Sequence, residues 1–126
     1  MTRTTHIDDS LSGETKDYSF VAKKCEDHVW GNGGGIAWEE YLSIDAVHKT
    51  TKKTLMKNSA SITTRDRYDS QYDLHDRWSY DYVKINVLDN DKNIIEIMAV
   101  DNKGKPYLTG CSDAFYMKLN LDELVK

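Results

Sequence analysis

The stretch from Tyr80 to Val100, YDYVKINVLDNDKNIIEIMAV, decides the fold of this 126-residue chain. β-Branched residues alternate along its first half and share one face of a predicted strand: Val83, Ile85 and Val87. Asp89 to Asn93 supplies turn residues, and Ile94 to Val100 is a second run rich in isoleucine and valine. Two such runs separated by Asp and Asn predict an antiparallel hairpin.

Further strands are predicted on both sides of this hairpin. A third strand begins at Tyr107, an alternating strand covers residues 36–46, and a Ser/Thr-rich strand covers 55–64. Residues 18–29 and 112–126 fit either a strand or a helix; for the second we favour a strand followed by a short turn of helix. The predicted fold class is mainly β (or α+β), a small antiparallel sandwich or barrel of about six to seven strands with one or two short helices.

The first 17 residues differ in composition from the rest of the chain. Their only large apolar side chains are Met1, Ile7 and Leu11, too few to offset the entropy cost of ordering. We therefore predict a flexible N-terminal arm over residues 1–17 and a single antiparallel β-rich domain over 18–126. The predicted core residues of that domain are Phe20, Ile36, Trp38, Leu42, Val83, Ile85, Val87, Ile95, Ile97, Leu108 and Leu119.

Composition argues against several classes of protein. The net charge of −4 leaves no broad basic surface, so nucleic acid is not an expected partner. No apolar run reaches the length of about 18 residues that a membrane span needs, and residues 1–17 lack the apolar segment of a secretory signal. The two cysteines, Cys25 and Cys111, are expected to be buried free thiols. The expected location is the cytoplasm.

Three short motifs resemble ligand sites but lack their defining residues. The glycine-rich segment 31–35 is not followed by the lysine of a phosphate-binding loop. Asp89 to Asn93 begins like a calcium loop, yet Ile94 and Val100 occupy the positions that require glycine and glutamate. Cys25 and His28 have the spacing of half a zinc site without a second pair. We therefore expect no metal and no cofactor.

The stretch from Ser61 to Val83, SITTRDRYDSQYDLHDRWSYDYV, has the composition of a contact surface. It contains three of the four arginines and four of the eight tyrosines. Tyr, Trp and Arg dominate binding hot spots because they combine contact area with directional hydrogen bonds. The plainer alternative is an exposed loop or edge strand whose alternating charges prevent aggregation. The residues predicted to bind are Arg65, Arg67, Tyr68, Tyr72, His75, Arg77, Trp78, Tyr80 and Tyr82.

The leading hypothesis for function is a non-enzymatic protein-binding module that docks on a larger protein through this stretch. Small inhibitors, immunity proteins and phage-type anti-defence proteins share its profile of one domain, no catalytic motif and an aromatic-rich polar surface, which is an analogy. The expected partner is another protein, and self-association into a homo-oligomer stays open.

Two alternatives belong to other functional classes. A sequestering protein for a nucleotide or similar small ligand would stack a base on Tyr or Trp and bind its phosphate through Arg. A small nuclease or hydrolase would use His75 as general base, beside Asp73, Asp76 and Arg77. Adjacent residues of an extended chain point to opposite faces, so this cluster does not converge and an enzyme is the less favoured interpretation.

Overall fold

The computed structural model describes residues 2–30, 36–64, 82–101, 103–106 and 112–124. Within these ranges the chain is mainly β, as predicted. The strands are β1 (Thr2–Glu14), β2 (Tyr18–Trp30), β3 (Ile36–His48), β4 (Thr54–Asn58), β5 (Ile62–Thr64), β6 (Tyr82–Asp89), β7 (Ile94–Val100) and β8 (Tyr116–Asn120). Two four-residue helices lie near the C-terminus, α1 (Ser112–Phe115) and α2 (Leu121–Leu124).

The strands form two antiparallel sheets. The first has the order β1-β2-β3-β4, and β5 pairs with β3 next to β4 along the same edge, so it has four strand positions. The second has the order β6-β7-β8. Because no backbone ladder joins the two sheets within the described ranges, they form the layers of a sandwich and not a closed barrel. The seven strand positions agree with the predicted six to seven.

The core lies between the inner faces of the two sheets. Its members alternate along each strand, as the two-residue period of a pleated strand requires. The first sheet contributes Tyr18, Phe20, Ala22, Leu42, Ile44 and Ala46. The second contributes Val83, Ile95, Ile97, Ala99, Met117 and Leu119, and the short helices add Ala114, Phe115 and Leu121. The result is one small β-rich domain with one continuous core.

Asn93, which is fully buried, connects two turns and helix α2 at one end of the sandwich. Its Oδ1 accepts hydrogen bonds from Thr15 Oγ1 at 2.8 Å and from the Asp17 backbone N at 3.1 Å. Its Nδ2 donates to Asp17 Oδ2 at 2.8 Å and to Asp122 Oδ2 at 3.2 Å. The side chain thereby connects the β1–β2 turn, the β6–β7 turn and α2.

The prediction of a flexible arm over residues 1–17 is wrong, because residues 2–14 form strand β1. This strand pairs with β2 along its whole length, with one bulge at Asp8. It bears few buried apolar side chains, and both Ile7 and Leu11 are largely exposed. Backbone hydrogen bonds and polar side chains order it, which a count of apolar residues does not register.

The remaining element predictions are largely confirmed. Residues 18–29, ambiguous in the sequence, are strand, and the C-terminus is a strand followed by one turn of helix. The strand predicted over 55–64 is interrupted after Asn58, where Ser59 Oγ accepts a hydrogen bond from the Leu42 N and donates one to the Ala114 O. The third strand predicted at Tyr107 lies outside the described residues, and β8 pairs with β7.

The predicted core is confirmed at six positions: Phe20, Leu42, Val83, Ile95, Ile97 and Leu119. Ile85 is half-buried and packs against the core. Val87 was wrongly predicted as core, since it is 46% exposed. The β6–β7 register shifts between Val87 and Asp89, so the regular pleat of the strand ends at this position. The side chains of Ile36, Trp38 and Leu108 lie outside the described part of the molecule.

Cys25 is a buried free thiol, and burial raises its pKa; Cys111 lies outside the described residues. Among the helices that the structure describes, none has the length and apolar character to cross a membrane.

Candidate functional site

The three-stranded sheet turns one face to solvent, and this face carries a regular set of side chains. The pairing places Lys84, Met98 and Tyr116 in one row across β6, β7 and β8. The adjacent row is Asn86, Glu96 and Lys118. Directly opposed residues of antiparallel strands point to the same face. We call these six residues the outer grid; Tyr82 lies on the same face, one row beyond Lys84.

Burial of the opposite face fixes the register of the outer grid. Ile95 and Ile97 of β7 are fully buried, and Val83 and Leu119 of the flanking strands are 6% and 7% exposed. A slip of one residue would place these apolar side chains in water and the grid in the core. The core therefore determines which side chains this surface presents.

Glu96 is the centre of the grid's hydrogen bonding. Its Oε2 accepts a hydrogen bond from the Tyr116 hydroxyl at 2.7 Å, and its Oε1 accepts one from Asn86 Nδ2 at 2.8 Å. These bonds from Tyr116 and Asn86 lower the pKa of Glu96, and the bond to the carboxylate raises the pKa of Tyr116. Glu96 is therefore ionised at neutral pH, and the Tyr116 ring is held in one orientation.

Aromatic and thioether groups give the grid its apolar contact area. Tyr116 and Tyr82 are 40% and 42% exposed, and Met98 between Lys84 and Tyr116 is half-buried. An oriented tyrosine loses little side-chain entropy on contact, and methionine adapts to irregular partner surfaces. This combination is typical of a recognition surface.

The two lysines give the grid a local positive charge. Lys84 and Lys118 are exposed, and within the described ranges neither forms an ion pair. Together with the single carboxylate of Glu96 they leave a net charge of about +1 on the grid, whereas the whole chain carries −4. The grid is thus a basic area on an acidic protein.

Of the nine predicted binding residues, only Tyr82 falls within the described part of the chain. It begins β6 and lies beside the outer grid, exposed as predicted. The other eight predicted binding residues, Arg65, Arg67, Tyr68, Tyr72, His75, Arg77, Trp78 and Tyr80, lie outside the described residues. The catalytic alternative centred on His75 lies there too.

The predicted binding residues include Tyr82 but none of the six grid residues, although the alternation along β6 pointed to two of them. The alternation that places Val83 and Ile85 inward necessarily places Lys84 and Asn86 outward, beside Tyr82. What the sequence did not contain was the β7–β8 register, which brings Tyr116 next to Met98. The two aromatic positions are 34 residues apart, so no local pattern connects them.

A second group of polar residues occupies the inner face of the first sheet, at the end away from Asn93. Lys24 is fully buried; its Nζ lies 3.1 Å from Asp8 Oδ2 and 3.4 Å from Glu40 Oε1, and 5.4 Å from the centre of the Phe115 ring. Burial raises the pKa of Asp8, against the attraction of Lys24 and together with the repulsion of Glu26. These groups form a buried ion network that ties β1, β2 and β3 together.

Cys25 and His28, whose spacing resembles half a zinc site, are not arranged to bind one metal ion. Cys25 and His28 are three residues apart on β2 and therefore point to opposite faces, so they do not converge on one ion. His28 Nε2 lies 2.7 Å from Glu26 Oε1, and its ring stacks on His6 with centres 4.1 Å apart. Within the described residues no three His, Cys, Asp or Glu side chains are placed to bind a metal.

An open cleft of about 540 Å³ lies along β1, β2 and β3 of the first sheet, and Val21 and Val47 form part of its lining. Its two acidic side chains already form ion pairs, Asp45 with Lys23 and Glu14 with Lys49. The cleft therefore offers an apolar surface with its charges neutralised, and it is a weaker candidate than the outer grid.

Comparisons with protein families, curated proteins and solved structures find no match to this chain.

Proposed function

We propose that this protein is a non-enzymatic protein-binding module whose contact surface includes the outer grid and Tyr82. The observation that carries the proposal is the Tyr116–Glu96–Asn86 set of hydrogen bonds, which orients an exposed aromatic ring next to Met98, on the face that also carries Tyr82. Pre-oriented aromatic anchors surrounded by polar groups are the features that concentrate binding energy in protein interfaces.

The chemistry of the grid favours binding over catalysis. Glu96 is its only carboxylate, and the hydrogen bonds from Tyr116 and Asn86 keep the pKa of Glu96 low. A general base works best with a pKa near neutrality, so this carboxylate suits a structural role. Inhibition of a larger protein is the activity that such a surface would serve, as in the inhibitor and immunity proteins that share the profile of this chain.

The size of the grid indicates that more of the chain takes part. Strand spacing of about 4.8 Å and a repeat of about 7 Å between same-face residues give the grid, together with the row of Tyr82, an extent of roughly 10 Å by 14 Å. A stable interface covers about 800 Å² on each partner. We propose that the Ser61–Val83 stretch, which includes Tyr82, supplies further contacts through the predicted residues Arg65, Arg67, Tyr68, Tyr72, His75, Arg77, Trp78 and Tyr80.

Site-specific photo-crosslinking tests the proposal in cells that make the protein. A benzophenone amino acid in place of Tyr116 is expected to give one discrete protein adduct, and the same group in place of Thr54, exposed on the other sheet, is expected to give none. Met98→Ala should weaken the adduct, whereas Met56→Ala, which removes a 68% exposed methionine of β4, should leave it unchanged. Equal adducts from both positions, or none from Tyr116, would reject the proposal.

A further inference from the structure

We infer that the outer grid recognises an extended acidic segment of the partner protein, in which two carboxylates flank an apolar side chain. The inference rests on the proposed function and adds the chemistry of the partner. It follows from the charge of the grid, from the spacing of its two lysines and from the position of its apolar residues between them.

The charges of the grid are arranged so that its lysines remain available. Glu96 is the one carboxylate in the grid, and its two oxygens accept hydrogen bonds from Tyr116 and Asn86. Lys84 and Lys118 approach it closely enough to lower its pKa, yet among the described contacts neither ammonium lies within 4.0 Å of a carboxylate oxygen. A partner carboxylate therefore meets an ammonium that has no competing ion pair.

The spacing of the lysines fits an extended peptide. Lys84 lies on β6 and Lys118 on β8, two strands apart and one same-face repeat along the sheet. Strand spacing of about 4.8 Å and a repeat of about 7 Å place their Cα atoms about 12 Å apart. In an extended chain, residues i and i+4 are about 13 Å apart and point to the same face.

The middle residue of such a peptide would meet the apolar part of the grid. Residue i+2 shares the face of i and i+4, and the midpoint between Lys84 and Lys118 falls on β7 between Met98 and Glu96. The Tyr116 ring is the direct neighbour of Met98 in the adjacent strand. The recognised pattern is therefore acidic, any residue, apolar, any residue, acidic.

Two blocked heptapeptides test this inference with the full-length protein. The probe is Ser-Glu-Thr-Leu-Thr-Glu-Ser, and its control has glutamine in place of both glutamates. The acidic peptide is expected to shift the backbone amide resonances of Lys84, Met98, Tyr116 and Lys118 in an NMR titration. Its affinity should be roughly three- to tenfold higher than that of the control, as two exposed ion pairs allow, and should fall as salt is added.

Charge reversal provides the matched variants. Lys84→Glu with Lys118→Glu should remove the preference for the acidic peptide. Lys53→Glu with Lys57→Glu, which changes two exposed lysines just before and within β4 of the other sheet, should retain it. Equal affinity for both peptides, no shift at the grid, or retained preference after reversal at Lys84 and Lys118 would overturn the inference. The Tyr116 photo-adduct would still stand in those cases, and its absence would reject the proposed function independently of the peptides.

Discussion

At the scale of single residues, Asn93 shows how one side chain can determine the geometry of several turns. Its φ of 57° lies in the left-handed region, which asparagine tolerates better than most residues. The side chain makes four hydrogen bonds to three other residues, all within the turn region that ends the sandwich. Backbone conformation and side-chain chemistry thus require the same residue at this position.

Asn93→Ala is expected to lower the free energy of unfolding by about 3 kcal/mol. Two effects add up. Thr15 and Asp17 lose their buried hydrogen bonds to the Asn93 side chain, and alanine is disfavoured in the left-handed backbone conformation of this position. Asn93→Gly should recover about 1 kcal/mol of this, because it removes only the backbone strain. Urea denaturation of the two variants would measure both contributions, and equal stability of Asn93→Ala and the wild type would contradict the account.

Tyr18 gives the protein a dependence on alkaline pH. It is almost fully buried and its hydroxyl donates to Asp122 Oδ1 at 3.0 Å; burial first, and then this hydrogen bond, raise the pKa of Tyr18 from 10.0 to about 12. Because the pKa is higher in the folded state, the stabilisation is fully present below pH 10 and is lost as the pH rises towards 12.

The free energy of unfolding should therefore fall between pH 10 and pH 12. Tyr18→Phe, which has no ionisable hydroxyl, should show a smaller fall over the same interval. The free energy of unfolding of each protein is compared with its own value at pH 8. Chemical denaturation at several pH values would measure this. An identical pH dependence in the variant and the wild type would show that Tyr18 does not control it.

At the scale of elements, β1 is ordered by contacts with residues that are distant from it in the chain. A bulge at Asp8 shifts the register of β1 against β2 by one residue, and the Asp8 carboxylate lies 3.1 Å from the buried Lys24 Nζ. Asp9 Oδ2 then accepts a hydrogen bond from the Val83 N at 2.8 Å, which connects the two sheets. Gly13 leaves room for the Phe20 ring, because a Cβ there would lie 2.7 Å from its Cζ.

Hydrogen–deuterium exchange tests the order of β1 directly. About half of the amides in residues 2–14 should exchange slowly, since alternate amides of an edge strand donate to its neighbour. A short peptide with the sequence of residues 2–14, which has no partner strand, supplies the fast-exchanging reference. Complete exchange of residues 2–14 in the protein at the rate of that peptide would restore the interpretation of a flexible arm.

At the scale of the whole molecule, the inner face of the first sheet is divided into an apolar part and a charged part. Tyr18, Phe20 and Ala22 of β2 pack in the core, and Lys24 and Glu26 continue the same face as part of the ion network. The long strands of the first sheet thus carry both a hydrophobic core and a buried set of charges.

Lys24→Met is expected to destabilise the protein by about 3–5 kcal/mol, because it removes the buried ammonium that lies 3.4 Å from the buried carboxylate of Glu40. Lys23→Met is a matched control one residue away. Its partner Asp45 is 48% exposed, so its loss should cost at most about 1 kcal/mol. Chemical denaturation of both variants measures the difference, and equal effects would mean that the Lys24 network contributes no more than a surface ion pair.

Local stereochemistry explains which features the sequence by itself determined. The two-residue alternation assigned β6 and β7, and the burial of Val83, Ile95 and Ile97, because inward and outward positions of a strand are set by the chain itself. The same alternation determined that Tyr82 faces outward. Asp and Asn residues located the β6–β7 turn for an equally local reason.

Only the tertiary structure decided the features that depend on residues far apart in the chain. The order of β1 comes from its pairing with β2, the burial of Lys24 from carboxylates on β1 and β3, and the outer grid from the β7–β8 register. A hydrophobicity pattern records whether a side chain prefers water. It carries no information on which distant backbone groups or charged side chains will form hydrogen bonds or ion pairs with a segment. For this reason it predicted a flexible arm where the fold forms a strand.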